Sequence, residues 1–237
     1  MSEPLSENPP EDSFFDFACP YCGEVNSFPS AVARTLQECA SCGEMIVVPE
    51  PGAETAGKVP LPMRTPRLII RRFQSEDTNR LINLAREDDM GGLPVTEANV
   101  DEFIEVQRGA AFTRGEAGAF LAIEVAETHE LAGYLLIYFT EPAHSNAGFK
   151  LAITPARRRQ GFGFEAARAM IDFAFDGLCA HRVTVSCPSR DQAARALLEK
   201  LKLRLEGEFI KSWFDGNEWS DVRWYALLKE ERSSSGV

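Results

Sequence analysis

Apolar and polar residues alternate along much of the chain from residue 67 onward, and between these stretches apolar residues recur every three or four positions. Alternation is typical of half-buried strands, and the wider spacing is typical of amphipathic helices. The pattern predicts strands at Arg67–Phe73, Ala119–Ala126, Leu131–Thr140, Ala147–Thr154, Arg182–Cys187, Leu205–Trp213 and Trp219–Leu228. It predicts helices that begin near Ser75, near Val100 and after Gly163, and a fourth at Asp191–Leu201. This order predicts an α+β fold with a mixed, mostly antiparallel sheet flanked by helices.

Composition divides the chain into five segments. Residues 1–13 are rich in Pro, Glu and Ser, which predicts a disordered acidic tail. Residues 14–49 hold four clustered cysteines, and residues 50–63 hold the prolines and glycines of a semi-rigid linker. Residues 64–232 form the large α+β domain, and residues 233–237 form a short tail.

The net charge of −11 is unevenly distributed, because residues 1–60 hold ten Asp and Glu against Arg34 and Lys58. Nucleic acids and anionic membranes are contacted mainly through Lys and Arg, so this composition argues against both as partners. A basic protein is the partner that an acidic N-terminal segment favours. The sequence has no apolar run long enough for a membrane span and no signal-peptide pattern, which predicts a cytoplasmic protein.

Four cysteines, Cys19, Cys22, Cys39 and Cys42, follow the pattern C-x2-C-x16-C-x2-C. Two tight Cys-x-x-Cys turns can surround one ion tetrahedrally, and this spacing is typical of structural zinc sites. The alternatives are a redox dithiol pair or disulfides, but redox motifs accompany a βαβ pattern and the cytosol disfavours disulfides. We therefore predict a small zinc ribbon with a structural Zn²⁺, since four protein ligands leave no open coordination position.

The stretch Leu151–Ala167 combines an apolar strand, three arginines, a Gly-x-Gly turn and the start of a helix. Glycines allow a tight turn, and the following helix start directs unpaired N–H groups and the positive end of its dipole toward an anion. This order predicts a phosphate site. The alternative is an ordinary strand-to-helix turn with a solvated arginine face.

The run Arg158-x-x-Gly161-x-Gly163 resembles the acyl-coenzyme A signature of the GNAT superfamily of N-acetyltransferases. Three further stretches resemble the branch of that superfamily that acts on the N-termini of ribosomal proteins. They are Thr65–Arg71, Leu131–Tyr134 and the closing hairpin at 215–228. The resemblance spans residues 64–232.

The resemblance implies that acetyl-coenzyme A (acetyl-CoA) binds where the sheet opens beside its fourth strand. Backbone groups near Leu151 and Ile153 would pair with the pantetheine arm and polarise the thioester carbonyl. The diphosphate would bind to the N–H groups of the glycine turn. The implied coenzyme-binding residues are Leu151, Ile153, Arg158, Arg159, Gln160, Gly161, Phe162, Gly163, Phe164 and Asp191.

The implied reaction is acetyl transfer to a primary amine, here expected to be a protein or peptide N-terminus. Glu141 and His144, in the loop before the fourth strand, are the candidate bases, and each is also readable as a solvated loop residue. Glu124 and Glu127 are weaker candidates. Leu198 stands where many superfamily members carry a tyrosine that protonates the leaving thiolate, so no acid is assigned.

Two departures from the branch pattern keep a second function open. At the start of the following helix Asp191 and Ala194 replace the usual Asn and Ser, and at its end Lys202 replaces the usual Gly. If Lys202 is left-handed, its cost is roughly 1 kcal/mol. The alternative function is a non-catalytic coenzyme-binding or protein-interaction module on the same fold.

The C-terminal part is rich in aromatic residues. Trp213, Phe214, Trp219, Trp224 and Tyr225 are predicted to pack within the sheet rather than form a ligand cage.

Overall fold

The structure, a computed structural model, describes residues 13–33, 35–51, 57–58, 61–87, 93–109, 115–141, 146–178, 180–214 and 217–234. The chain forms two compact units, which divide between residues 59 and 60. Among the described residues, no helix has the length and apolar character needed to cross a membrane.

The N-terminal unit is built from short strands. Strands β1 (Phe14–Ala18) and β2 (Val25–Pro29) pair antiparallel, and β3 (Leu36–Glu38), β4 (Met45–Val47) and β5 (Gly57–Lys58) form a second antiparallel sheet. Strand β5 lies inside the segment predicted as a linker. Among the described residues, the apolar core cluster of this unit contains Phe17, Cys19, Cys39, Ile46 and Val48, so two of the cysteines belong to the core.

The second unit contains one eight-stranded sheet. Its strands are β6 (Met63–Arg64), β7 (Leu68–Arg72), β8 (Gly115–Val125), β9 (Leu131–Glu141), β10 (Asn146–Ile153), β11 (Arg182–Pro188), β12 (Arg204–Phe214) and β13 (Trp219–Leu228). They lie in the order β12-β13-β11-β10-β9-β8-β7-β6, and only β10 and β11 run parallel. The predicted mixed, mostly antiparallel sheet is therefore confirmed.

Helices cover this sheet. They are α1 (Thr78–Glu87), α2 (Val100–Gly109), α3 (Phe162–Asp172, continued by a wider turn to Gly177), α4 (Gln192–Lys200) and α5 (Lys229–Ser234). On one face, Phe73, Leu81, Phe103 and Ile104 pack with Tyr134 and Ala152 of the sheet in a single apolar cluster. On the other face, α3 buries Ala166, Ala167, Met170 and Ile171.

A buried ion-pair network ties β7 to the chain that follows it. The Arg71 guanidinium donates to both Asp77 carboxylate oxygens, at 2.6 and 2.9 Å, and to Glu124 at 2.7 Å. Burial alone would raise the pKa of Asp77, but Arg71, the Gln74 N–H and Arg80 hold it below its ordinary value. Both carboxylates are less than 10% exposed, and the Arg71 guanidinium is the partner that they share.

The closing hairpin departs from the sequence expectation. Tyr225 is buried as predicted, but Trp213, Phe214 and Trp219 are 39, 49 and 59% exposed. The reason is topological: β11, the neighbour of β13, has its last paired position at Pro188 opposite Val222, so the end of the hairpin has no strand beside it.

Candidate active site

Strands β10 and β11 separate partway along their length. They pair only from Asn146–Gly148 to Arg182–Thr184, although β10 continues to Ile153 and β11 to Pro188. The edge of β10 that faces β11 is therefore open beyond Gly148. This is the open edge that the resemblance implied beside the fourth strand.

The open edge exposes backbone groups of β10. The Thr154 N–H donates to the Ala132 carbonyl of β9, 2.9 Å away. Backbone groups alternate sides along a strand, so those of Leu151 and Ile153 point away from β9 and toward the opening. The structure thus directs these two predicted residues to the same gap.

The chain after β10 turns tightly into α3. A short 3-10 turn at Pro155–Arg157 is followed by Arg159 and Gly161, with φ of 61° and 85°. Gly161 is the residue immediately before the helix, and this left-handed conformation suits glycine because a Cβ is strained there. A Cβ at Gly161 would also lie 3.2 Å from the Arg67 guanidinium.

The helix start carries a row of backbone donors. Within the described residues, the N–H groups of Gly161, Phe162, Gly163 and Phe164 have no protein acceptor, and the first intrahelical bond runs from the Glu165 N–H to the Gly161 carbonyl at 3.1 Å. Four consecutive donors at the positive end of a helix form an anion-binding site. The residues present therefore fit a diphosphate group.

A clamp that sequence reasoning missed holds this helix start in place. The Glu165 carboxylate accepts hydrogen bonds from the Thr65 hydroxyl (2.6 Å), the Arg67 N–H (2.8 Å) and the Arg67 guanidinium (2.7 Å). Burial would raise the pKa of Glu165, but these donors lower it overall. Arg67 also donates to the Gln160 carbonyl (2.9 Å) and lies over the Phe162 ring. Thr65 and Arg67 lie 100 and 98 positions before Glu165, so no local sequence pattern predicted the clamp.

The three arginines before the turn have different environments. Arg157 pairs with Glu130, and the Arg158 Nε donates to the Ile153 carbonyl at 2.9 Å. Arg159 is exposed and, within the described part of the chain, makes no ion pair. The resemblance implied both Arg158 and Arg159 as coenzyme-binding residues. Because the Arg158 side chain donates to the Ile153 carbonyl, Arg159 is the side chain better placed to receive a ligand.

The remaining predicted coenzyme residues lie along α3 and α4. A Cβ built on Gly163 would touch Ile153, Leu151 and Leu197 at 3.7 to 3.9 Å, so the first turn of α3 packs against the open strand and against α4. Phe162 is buried, and Lys200 of α4 lies 4.4 Å from the ring centre of Phe164.

Asp191 and Lys202 stand at the two ends of α4. The Asp191 carboxylate accepts the Ala194 N–H at 2.9 Å, so it caps the helix. Lys202 has a φ of 64°, which confirms the left-handed conformation considered from the sequence. Leu198, at the position of the family tyrosine, is buried and offers no proton.

The candidate bases are only partly described. Glu141 is the last residue of β9 and lies opposite Asn146, and His144 lies outside the described residues. Glu124, one of the two weaker candidates, is unsuited to act as a base. Burial would raise its pKa, but His129 and Arg71 lower it overall.

The four cysteines of the N-terminal unit lie together. All four Sγ atoms are within 4.8 Å of one another, and the Cys19–Cys42 and Cys22–Cys39 pairs are 3.8 and 3.9 Å apart. Sulfur atoms at the corners of a tetrahedron, about 2.3 Å from a central zinc ion, are about 3.8 Å from one another. The donor set and its spacing therefore fit a tetrahedral zinc ion.

Each Cys pair occupies the same kind of turn. In the first turn, the Cys19 N–H donates to the Glu24 carbonyl and the Gly23 N–H donates to the Cys19 carbonyl, at 2.8 and 2.9 Å, and the same two bonds recur in the second turn. Gly23 and Gly43 both have positive φ, 81° and 71°. The sequence repeat C-x-x-C-G-E thus corresponds to a structural repeat.

The thiols differ in acidity. Desolvation opposes ionisation of Cys39, but the N–H groups of Cys42 and Ser41 and the Asn26 amide lower its pKa to about 6. The Glu44 N–H favours the Cys42 thiolate, but desolvation and the neighbouring sulfurs raise its pKa to about 12. Adjacent thiolates repel one another, and a cation between them removes that repulsion.

Comparisons with known proteins find that the chain is similar to several acetyltransferases. A curated relative, the uncharacterized N-acetyltransferase YnaD of Bacillus subtilis, is 27% identical over 179 residues, which cover 70% of this chain and 96% of YnaD. A putative ribosomal-protein-serine acetyltransferase from Vibrio cholerae superposes with a TM-score of 0.58 at 20% identity, covering 70% of this chain and 95% of that one. The spermidine/spermine N-acetyltransferase SpeG, also from Vibrio cholerae, gives a TM-score of 0.58 at 19% identity, covering 72% and 99%. At these identities, the two solved structures show a shared fold.

A family model, the acetyltransferase (GNAT) domain, matches residues 67–204. That range is more than half of the chain and contains β7 to β11, the open edge of β10 and the turn into α3. The predicted enzyme class is confirmed: the chain belongs to the GNAT family of acetyltransferases.

Proposed function

We propose that this enzyme transfers the acetyl group of acetyl-CoA to a primary amine at the N-terminus of a protein or peptide. The observation that carries the proposal is the row of unpaired N–H groups from Gly161 to Phe164 beside the open edge of β10. An acyl carrier that contains both a diphosphate and an amide-bearing arm matches these two features. The diphosphate needs N–H donors, and the amides of the arm can pair with the backbone of an open strand.

In this proposal, the turn into α3 holds the diphosphate. The N–H groups of Gly161, Phe162, Gly163 and Phe164 donate to its oxygens, and Arg159 adds a positive charge. The Glu165–Arg67 clamp orients these donors without occupying them. Gln160 contributes its backbone rather than its side chain, since the side chain donates to the Ala156 carbonyl at 3.0 Å.

The open edge of β10 positions the acetyl group. The N–H groups of Leu151 and Ile153 point into the opening, whereas the Ile153 carbonyl is already engaged by Arg158. A backbone N–H directed at a carbonyl oxygen stabilises the negative charge that develops there during acyl transfer. When bound, acetyl-CoA supplies the activated acetyl group as a thioester.

The acceptor amine must lose a proton before it attacks. An N-terminal amine has a pKa near 8, compared with about 10.4 for a Lys side chain, so it needs less help from a base. Glu141 and His144 remain our candidates for that base. We assign no side chain of α4 as the acid that protonates the leaving thiolate, because Leu198 replaces the tyrosine.

The acceptor class rests on the branch resemblance at Thr65–Arg71, Leu131–Tyr134 and the closing hairpin. One structural neighbour is described as acting on a ribosomal protein and another on spermidine or spermine, and both substrates are amines. We therefore assign a protein N-terminus as the acceptor and a polyamine as the first competitor to test.

For the N-terminal unit we propose a structural zinc ion held by Cys19, Cys22, Cys39 and Cys42. The tetrahedral spacing of the sulfurs supports it, and four protein ligands leave no position for substrate. The acidic composition of residues 1–60 supports a basic protein as the partner of this segment, in preference to nucleic acid or membrane.

Ligand-dependent melting tests the coenzyme proposal. Acetyl-CoA at 100 times its dissociation constant should stabilise the enzyme by about 2.7 kcal/mol. The Gly161→Asp variant should lose that shift because it places a carboxylate beside the donor row. The Gly163→Asp variant should lose it because it places a carboxylate against Leu151 and Ile153 of the open edge. Gly207→Asp is the matched control, since space around Gly207 is open and it lies on β12. An unchanged melting temperature at saturating acetyl-CoA would contradict the proposal.

Acetylation of a panel of peptides with free N-termini, Lys-containing peptides and spermidine, read by mass spectrometry, tests the acceptor. Acetylated N-termini support the proposal, and acetylated spermidine alone replaces it with a polyamine acetyltransferase. The non-catalytic alternative requires coenzyme binding without acetylation of any acceptor, and the family assignment does not favour it.

A further inference from the structure

Asn26 is the most deeply buried polar side chain of the N-terminal unit among the described residues, with 4% of its surface exposed. It lies on β2 opposite Phe17 and is not part of the C-x-x-C-G-E repeat. Its burial therefore has to be explained by its hydrogen bonds, since a buried amide without partners is costly.

The amide of Asn26 contacts both cysteine turns. Its Nδ2 lies 3.2 Å from the Glu24 carbonyl in the first turn and 3.4 Å from the Cys39 Sγ in the second, and its Oδ1 accepts the Ala40 N–H at 3.1 Å. A backbone N–H can only donate, so the atom facing Ala40 is the amide oxygen. The amide NH₂ is then left facing two acceptors, a carbonyl and a sulfur.

Comparison of the two C-x-x-C-G-E repeats shows that the contact from Asn26 to the Cys39 sulfur has no counterpart at the equivalent position of the second repeat. Position 26 follows the first turn at the same distance as position 46 follows the second, and position 46 is the fully buried Ile46. An isoleucine has no donor. Cys39 is therefore the cysteine that receives a side-chain N–H in addition to those of the backbone.

We infer that Asn26 is a positioning residue for the metal site: it donates to the Cys39 sulfur and locks the second turn to the first, and so sets the affinity for zinc. The inference rests on the proposed zinc site. A hydrogen bond to a thiolate ligand spreads its negative charge and fixes its orientation. Loss of such an outer contact typically lowers metal affinity roughly 10- to 100-fold.

Two substitutions separate positioning from packing. Asn26→Asp has nearly the same shape and keeps an acceptor for the Ala40 N–H, but an ionised carboxylate cannot donate to sulfur. Asn26→Ile copies the residue of the second repeat and keeps the space filled. Ser27→Ala, at the exposed neighbouring position on β2, is the matched control.

The experiment measures zinc affinity of the full chain by competition with a chelator, together with the absorption spectrum of the Co²⁺-substituted protein. We expect Asn26→Asp and Asn26→Ile to bind zinc roughly 10- to 100-fold more weakly and to shift the sulfur-to-cobalt charge-transfer band, and Ser27→Ala to match the wild type. If Asn26→Ile does not fold with zinc, the zinc affinity and the Co²⁺ spectrum of Asn26→Asp test the inference.

Affinity and spectrum equal to wild type in Asn26→Asp would overturn the inference and leave the zinc site standing, even if the variant melts at a lower temperature. A wild-type chain that binds no zinc would overturn the proposed site itself, and the inference with it. The two failures are therefore distinguishable.

Discussion

The two units of this protein have very different amounts of core to hold them together. In the N-terminal unit the apolar core cluster has five members among the described residues, two of them cysteines, and Phe14 and Val25 are each 66% exposed. In the acetyltransferase unit one face of the sheet alone carries a cluster that includes Phe73, Phe103 and Tyr134. Small domains with little core usually depend on a metal or a cross-link, whereas larger ones are stabilised by apolar burial.

Both candidate sites nevertheless use the same local device, a turn that ends in a glycine with positive φ. At Gly23 and Gly43 the turns direct N–H groups onto cysteine sulfurs of the chain itself, and at Gly161 the N–H groups of the turn and helix start have no acceptor among the described residues. A set of donors that is filled by the protein's own atoms builds structure. A set that is left open is available to a ligand, which is the difference between a structural and a functional anion site.

Metal removal should have the largest effect. A zinc chelator, or Cys39→Ser, should abolish the melting transition of the N-terminal unit, because a structural zinc ion supplies about 10–16 kcal/mol in comparable small units. The transition of the acetyltransferase unit should persist. Differential scanning calorimetry with and without chelator measures both.

Cys187→Ser is the matched cysteine control, since Cys187 is buried on β11 in the other unit. It should leave zinc content unchanged. Equal loss of both transitions on chelation would contradict the view that the two units are stabilised by different means.

The second-largest effect should come from the ion-pair network of the acetyltransferase unit. Asp77→Asn leaves the Arg71 charge short of a partner in a buried site, which typically costs about 3–5 kcal/mol. Urea unfolding should show a lower midpoint for this unit and an unchanged zinc content. Asp101→Asn, on the exposed side of α2, is the control that should change little.

The same network predicts the acid dependence of stability. The pKa values of Asp77 and Glu124 are both lowered in the folded state. Their contribution is therefore complete above the unfolded values, near about 4, and is lost as the pH falls through the lower folded values. Stability measured from about pH 6 to about pH 3 should fall less steeply for Asp77→Asn than for wild type, and parallel curves would contradict this origin.

A smaller effect is expected at the open donor row. Gly161→Ala places a Cβ at positive φ and 3.2 Å from Arg67, so we expect a loss of about 1 kcal/mol in stability. The displaced N–H groups should also weaken acetyl-CoA binding at least about tenfold, or about 1.4 kcal/mol. Isothermal titration calorimetry measures the affinity. Gly207→Ala, where a Cβ meets nothing within 4 Å, should change neither quantity.

The smallest predicted effect is an increase in stability. Lys202→Gly removes a side chain from a left-handed position, and should stabilise the acetyltransferase unit by up to about 1 kcal/mol, or about 2–4 °C in melting temperature. Glu199→Gly, inside α4, should lower it by a similar amount because glycine is a poor helix former. If the Lys202→Gly variant is less stable than the wild type, the Lys202 side chain makes a contact that stabilises the protein by more than the left-handed backbone conformation destabilises it.

Much of this protein was predictable from sequence, because several key features are local. The Cys-x-x-Cys spacing brings two sulfurs together within one turn, and Gly161 and Gly163 fall between a strand pattern and a helix pattern, so the anion site follows from a short stretch. Lys202 was likewise predictable, since the end of a helix is a common left-handed position. The strands β9, β11 and β13 were recovered to within a residue or two for the same reason.

Other features depended on which strands become neighbours. The Arg67–Glu165 clamp joins residues 98 positions apart, and neither residue predicts the other as its partner. The pairing of Arg157 with Glu130, the exposed aromatic end of the β12–β13 hairpin and the buried amide of Asn26 were also decided by tertiary contacts. Local spacing determines backbone turns because only a few dihedral angles are involved. The partner of a side chain is determined by strand order and by the layers packed over it, and a short sequence pattern does not encode these.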